Sequence, residues 1–378
     1  MRIDRESMIR SAIRCAAVAI LLAFPALSHA QIRTVLVSPV PGDPVASGTA
    51  LRNALAGIQS PSASNPWLLK VEPGVYDVQT NPVQMRSWVS IEGSGIESTT
   101  IRGNVQTFIT QGAPFLHPAG TVNGADNAEL RNLTVENIGS SQHAIAMLNR
   151  NVSPRIYRVR FITQGDENKS LWGMLNEGFG SGGAPILEEI EVRVTGGRFT
   201  VGIEYQGTET FSEIHRSKIV VLGGTTQSAG IGITTGRLNR IRDTVIETYF
   251  GASASGIHVR SAFTNPPQDL WLMNTTIISA SSTQSNYGIK SDDAFTVNVM
   301  GSQIWVHHHS QAFGIRQTTG PTAVLNSHII AGTGVVSSNG GVNISNSLLV
   351  GGPVTAGWKA CLGVSDEAGA FYTGPCPP

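Results

Sequence analysis

Asn274-Thr275-Thr276-Ile277, Gly301-Ser302-Gln303-Ile304, Asn326-Ser327-His328-Ile329 and Asn346-Ser347-Leu348-Leu349 are four copies of one pattern. Each has a turn residue, two spacers and a closing apolar residue. Working outward, nine such closings occur, at Val135, Phe161, Val192, Ile219, Ile246, Ile277, Ile304, Ile329 and Leu349, 20 to 31 residues apart. A recurrence on that scale marks a solenoid, in which each unit buries its apolar face against its neighbours. The turn positions are Asn132, Arg158, Glu189, Arg216, Asp243, Asn274, Gly301, Asn326 and Asn346. Six of them are Asn, Asp or Gly, which tolerate the left-handed backbone of a sharp bend. The flanks are β-branched, as in Val297-Asn298-Val299, and the spacing leaves no room for a helix in each unit.

A second landmark follows each closing residue by about ten to fourteen positions and reads Gly-aliphatic. It occurs at Gly173-Met174, Gly202-Ile203, Gly232-Ile233, Gly256-Ile257, Gly288-Ile289 and Gly314-Ile315, with Ala144-Ile145 in the first unit. Three short strands per turn, stacked on equivalent strands above and below, make an all-β, single-stranded parallel β-helix. Some ten or eleven coils at about 4.8 Å each give a rod of roughly 50 Å.

The order helix, Pro-Gly-x-Tyr, Gly-rich turn, coils resembles the pectin-lyase-like right-handed β-helix superfamily. The residues that carry the resemblance are Thr49 to Leu55, Val71-Glu72-Pro73-Gly74-Val75-Tyr76, and Val89 to Gly95 through Ile101. The likeness implies a right-handed helix and is silent about chemistry, because that architecture hosts lyases, hydrolases, esterases, tailspikes and adhesins.

Residues 1–30 read as a secretory signal. Arg2, Arg5, Arg10 and Arg14 form the basic end, Ala16 to Leu27 the apolar stretch, and Ser28-His29-Ala30 the cleavage site. This implies a secreted or periplasmic protein with no transmembrane segment. Removing those residues leaves 22 basic against 24 acidic residues from the full chain's 26 of each, so no basic field exists to recruit nucleic acid. The rest reads as one domain over 31–378: a cap over 31–70, coils over 71–356 and a second cap over 357–378. A short helix with Leu51, Ala54, Leu55 and Ile58 on one face, capped by Ser47 or Thr49, closes the first end. Cys361 and Cys376, fifteen apart, pair in an oxidising compartment and tie down the other end. That tail resembles the C-terminal staple of other secreted bacterial β-helix proteins.

In the superfamily that the chain resembles, enzymes place their groove on the strand that here carries the Gly-aliphatic step. If the aliphatic residue points inward, the next residue points outward. That outward column reads Leu175, Glu204, Thr234, His258, Lys290 and Arg316, with Gly230-Ile231-Gly232-Ile233 allowing two registers at Thr234. Lys290 and Arg316 stand one strand apart, with Asp292 and Asp293 following at once. A base, a second cation and carboxylates on one face suit elimination of a uronate, with Lys290, Arg316 and His258 as candidate catalytic residues. Glu204, Thr234, Asp292, Asp293 and Trp305 are the candidate substrate contacts. Trp172, Tyr287 and Phe313, each directly before a landmark glycine, are expected to face the core. His307-His308-His309 reads as a solvated loop rather than a metal site. The hydrolase, esterase and calcium-dependent lyase motif sets of the superfamily are missing, so no cofactor is implied and calcium lacks a clear site. Three functions fit this reading: a secreted protein that binds a polysaccharide or surface glycan, a polysaccharide lyase acting through Lys290 and Arg316, and an adhesin-like rod.

Overall fold

The structure, a computed structural model, describes residues 32–107, 119–139, 143–178, 185–207, 212–234, 238–261, 269–307, 311–374 and 376. The segment read as a signal lies outside them.

All nine closing residues fall in one column of the parallel ladder, paired in succession from Val135 to Leu349. Each is buried to within a few per cent. All nine turn residues, Arg158, Glu189 and Arg216 included, have the left-handed backbone that the bend demands. Arg158, Glu189 and Arg216 pair along the axis: Glu189 lies 3.7 Å from Arg158 and 3.2 Å from Arg216. Exposed pairs of this kind contribute little each.

A hydroxyl follows the bend in six consecutive coils: Ser217, Thr244, Thr275, Ser302, Ser327 and Ser347. Each donates to the carbonyl two residues before it, at 2.7–3.0 Å. All but Thr275 also accept a main-chain N–H from the preceding coil, at 3.1–3.4 Å. These side chains satisfy main-chain groups that the bend removes from the strand ladder.

The first end is covered by α1 (Pro44–Gly57). Its cap is Asp43, which accepts from Ala46 N at 2.9 Å, with Pro44 opening the first turn. The sequence reading placed the start later, at Ser47 or Thr49. Ser47 is instead buried inside the helix and donates to the Asp43 carbonyl. Leu51, Leu55 and Ile58 join the core, with Ala54 packed against it. At the other end Cys361 and Cys376 form a disulfide.

The sheet that bears on function contains seven strands: β1 (His143–Arg150), β2 (Ser170–Glu177), β3 (Phe199–Gln206), β4 (Gln227–Thr234), β5 (Ser253–Ser261), β6 (Ser285–Ala294) and β7 (Gln311–Thr319). They are part of a stack of eleven parallel strands among the described residues. Met147, Met174, Ile203, Ile231, Ile257, Ile289 and Ile315 form its inward column. Two landmarks are thereby corrected. In β1 the step is Ala146-Met147 rather than Ala144-Ile145, and in β4 it is Gly230-Ile231 rather than Gly232-Ile233.

The glycines of the step face the interior as well. A Cβ on Gly173, Gly202, Gly230, Gly256 or Gly288 would collide with the side chain of Val192, Ile219, Ile246, Ile277 or Ile304, and with the carbonyl of the glycine one coil on. The closing residue of one landmark therefore fills the space that the other leaves empty. Replacing Gly256 by Ala should cost about 1–3 kcal/mol in chemical denaturation, as overpacking does. The Gly57→Ala change, where nothing lies within 4 Å, should stay within about 0.5 kcal/mol.

Candidate functional site

Two consecutive inward residues break the period-two alternation at every Gly-aliphatic step. The residue before the glycine therefore faces out, as does the residue after the aliphatic one. This overturns the expected inward placement of Trp172, Tyr287 and Phe313. Trp172 belongs to a separate apolar cluster on the outer face, with Ile145, Leu148, Leu175, Val201 and Ala229. The Tyr287 and Phe313 rings stack in parallel planes there, with centroids 5.8 Å apart and 8° between them.

The outward column runs Leu175, Glu204, Gly232, His258, Lys290, Arg316. Gly232 takes the place read as Thr234, which lies two residues further along β4. The glycine leaves room for the Glu204 carboxylate, since a Cβ at that position would strike it. Both Glu204 oxygens accept from Arg260 at 2.8 Å, and Thr234 donates to one of them at 2.8 Å. Thr234 thus meets Glu204 through its hydroxyl rather than through strand register.

His258, 4% exposed, is the centre of a second group. Its Nε2 lies 2.8 Å from Asp292 Oδ2, and its Nδ1 is hydrogen-bonded to the Gln227 amide of β4. Lys290 Nζ stands 3.1 Å from the same Asp292 oxygen and 3.4 Å from His258 Nε2. Desolvation lowers the imidazole pKa, the Asp292 hydrogen bond works against that, and the Arg260 and Lys290 charges add to it. The neutral ring then donates from Nε2 to Asp292 and accepts at Nδ1 from Gln227. The His258 hydrogen bond first, and then Lys290, hold the Asp292 carboxyl down at about 2. Asp293 follows where the ladder register shifts, and its main-chain carbonyl accepts from Ser291.

Arg316 is exposed and makes no ion pair with any described residue. It donates to the Tyr287 hydroxyl at 3.1 Å, and its guanidinium lies 5.8 Å from the Tyr287 centroid and 5.2 Å from that of Phe313. Lys290 Nζ lies 5.7 Å from the Tyr287 centroid. The rings thus prop two cations on adjacent strands.

Lys290, Arg316, His258 and Asp292 are brought together, and Glu204 with Thr234 forms a neighbouring pair on the same face. Trp305 is outward and half-buried but sits on another sheet, between Ile278 and Ile330, so it does not join them. His307 is exposed, and His308 and His309 lie outside the described residues. No cluster of three metal-ligating side chains occurs among the described residues. Tyr287, Phe313, Gln227 and Arg260 were missed as site residues. The available signal was the glycine before each aliphatic, which has a physical reason only if both face inward.

No family model matches the chain, and no curated protein does. Among solved structures, it is similar to the catalytic domain of a GH87 alpha-1,3-glucanase in complex with nigerose, at 12% identity and TM-score 0.44, covering 90% of this chain and 68% of that one. It is also similar to the A-module of a mannuronan C-5 epimerase from Azotobacter vinelandii, at 14% identity and TM-score 0.39, covering 88% and 89%. A third is the catalytic unit of a GH87 alpha-1,3-glucanase from Streptomyces thermodiastaticus strain HF3-3, at 14% identity and TM-score 0.40, covering 94% and 72%. At these scores no functional conclusion rests on them.

The same outer face holds a buried acid. Glu177, fully buried at the end of β2, lies 3.2 Å from Arg150 Nε, yet neither carboxyl oxygen has a hydrogen bond of good geometry to a described residue. Burial pushes its pKa up to about 7 against the opposing pull of Arg150. The folded state then holds a proton that the unfolded chain has lost between about pH 4.5 and 7, so stability falls as pH rises through that window. Glu177→Gln should remove this slope, matching the parent near pH 4 and exceeding it by roughly 1–3 kcal/mol at pH 8 in urea titrations.

Proposed function

We propose that this protein binds an anionic glycan on the outer face of β4–β7, with Arg316 as its main charge contact. The observation that carries this reading is the state of Arg316: exposed, propped by two stacked rings, and without an ion-pair partner among the described residues. A planar guanidinium with one N–H taken by Tyr287 still has donors for a carboxylate or sulfate, and Lys290 adds a second charge one strand away. A secreted or periplasmic setting, expected from residues 1–30, suits such a partner, and the Cys361–Cys376 disulfide agrees with an oxidising compartment.

Binding is favoured over elimination by the groups available to take a proton. Lys290 is committed to Asp292, and both His258 ring nitrogens are hydrogen-bonded. Among the described residues, the free lone pair of His258, on Nδ1, is turned to Gln227 of β4 and away from Arg316 of β7, so neither group presents a base beside Arg316.

Affinity electrophoresis against polygalacturonate, alginate and neutral dextran tests the reading. The parent protein should be retarded by a uronate polymer and not by dextran. Arg316→Ala should weaken that retardation by about 10–100-fold, the worth of a charged hydrogen bond, and Arg316→Lys should recover only part of it. Equal retardation by dextran, or no effect of Arg316→Ala, would overturn it. Unsaturated uronate appearing in the same mixtures would turn the reading to elimination.

A further inference from the structure

We infer that glycan binding at Arg316 and Lys290 is coupled to proton uptake by His258, with Gln227 as the residue that accommodates both states of the ring. The inference rests on the binding reading above and assigns a positioning role to two side chains that need not touch the ligand.

It starts from a shared acceptor. His258 Nε2–H and the Lys290 ammonium both donate to Asp292 Oδ2, at 2.8 and 3.1 Å, so one carboxylate serves one ammonium and one neutral imidazole. The ammonium, 3.4 Å from Nε2, opposes a second proton on the ring. An anionic sugar at Arg316, on the strand next to Lys290, competes with Asp292 for that ammonium. As Lys290 turns toward it, Asp292 is left with His258, and a nearby cation has moved away from the ring. Both changes favour the imidazolium, as does the negative charge of the ligand itself.

The other charged groups near the ring do not change. Arg260, on β5 with His258, is held by Glu204 of β3. Tyr287 contributes a hydroxyl already engaged by Arg316. The remaining hydrogen-bond partner of the ring among the described residues is Gln227, at Nδ1. Nδ1 is where the second proton must go, since Nε2 already carries one. A side-chain amide that turns over accepts from Nδ1–H through its oxygen as readily as it donates through its nitrogen. Gln227 therefore serves both states with a partner, whereas an apolar residue would serve neither.

Linkage fixes the sign: a proton taken up on binding makes affinity rise as pH falls, by at most tenfold per pH unit for one proton. The test is isothermal titration calorimetry of the full chain with polygalacturonate, from pH 5 to 8, in buffers of differing ionisation enthalpy. The expected result is net proton uptake and tightening of about three- to tenfold as pH falls from 7.5 to 5.5. His258→Gln should bind without this slope. Gln227→Glu, which places a carboxylate at Nδ1, should move the slope to higher pH. Binding with no proton exchange, or a slope that persists in His258→Gln, overturns the coupling and leaves the binding reading intact. No binding at any pH overturns both.

Discussion

Inside each coil, one contact sets the geometry of everything outside it. The closing apolar residue of the second strand presses on the glycine of the third strand in the coil before, leaving no room for a Cβ. The glycine cannot be replaced without moving a column buried along its whole length. Because it faces inward next to an inward aliphatic residue, the chain turns a corner there. Side chains on either side of the pair are thrown onto the outer face, three positions apart and close in space. Tyr287 with Lys290, and Phe313 with Arg316, are products of that corner.

The corner repeats at one strand spacing, so the outer face becomes a ladder whose rungs differ only in side chain. Apolar rungs at Ile145, Trp172 and Val201 pass through Ala229 to Tyr287 and Phe313, while the parallel column passes from leucine through Glu204 to His258, Lys290 and Arg316. Among the described residues of the polar half, Glu204 pairs with Arg260 and Asp292 with Lys290 and His258, in two neighbouring groups. The acid–base pairs Glu204–Arg260 and Asp292–Lys290 set Arg316 apart, among the described residues, as the cation held by rings instead of a carboxylate.

Much of the fold could be read from residue order alone, because the bend needs a left-handed residue and the core needs an aliphatic three positions later. Even Arg158, Glu189 and Arg216, poor choices for that backbone, stand at the bend in the expected sequence position. Register was harder. Gly230-Ile231-Gly232-Ile233 satisfies the pattern twice, and only the collision between Gly230 and Ile246 separates the two choices. The column through Lys290 and Arg316 was legible because it follows the aliphatic residue directly. The aromatic pair was misplaced because strict alternation was carried across a step where it fails. Gln227 and Arg260 carry no sequence signal: they reach His258 and Glu204 across coils 31 and 56 residues apart.

The staple at the far end bears on the life of the whole face. A solenoid's core runs along its axis, each coil touching only its neighbours, so its ends are where opening is easiest. Beyond β7 only two short strands remain in that sheet among the described residues, Gly334–Ser338 and Val354–Thr355. The rung bearing Arg316 thus stands near that end of the sheet. Cys361 ties the strand Trp358–Leu362 to Cys376 beyond it. A bond formed far from the charged cluster in sequence therefore bears on how firmly the last coils are held, which links the redox state of the surroundings to the order of the sheet that carries Arg316.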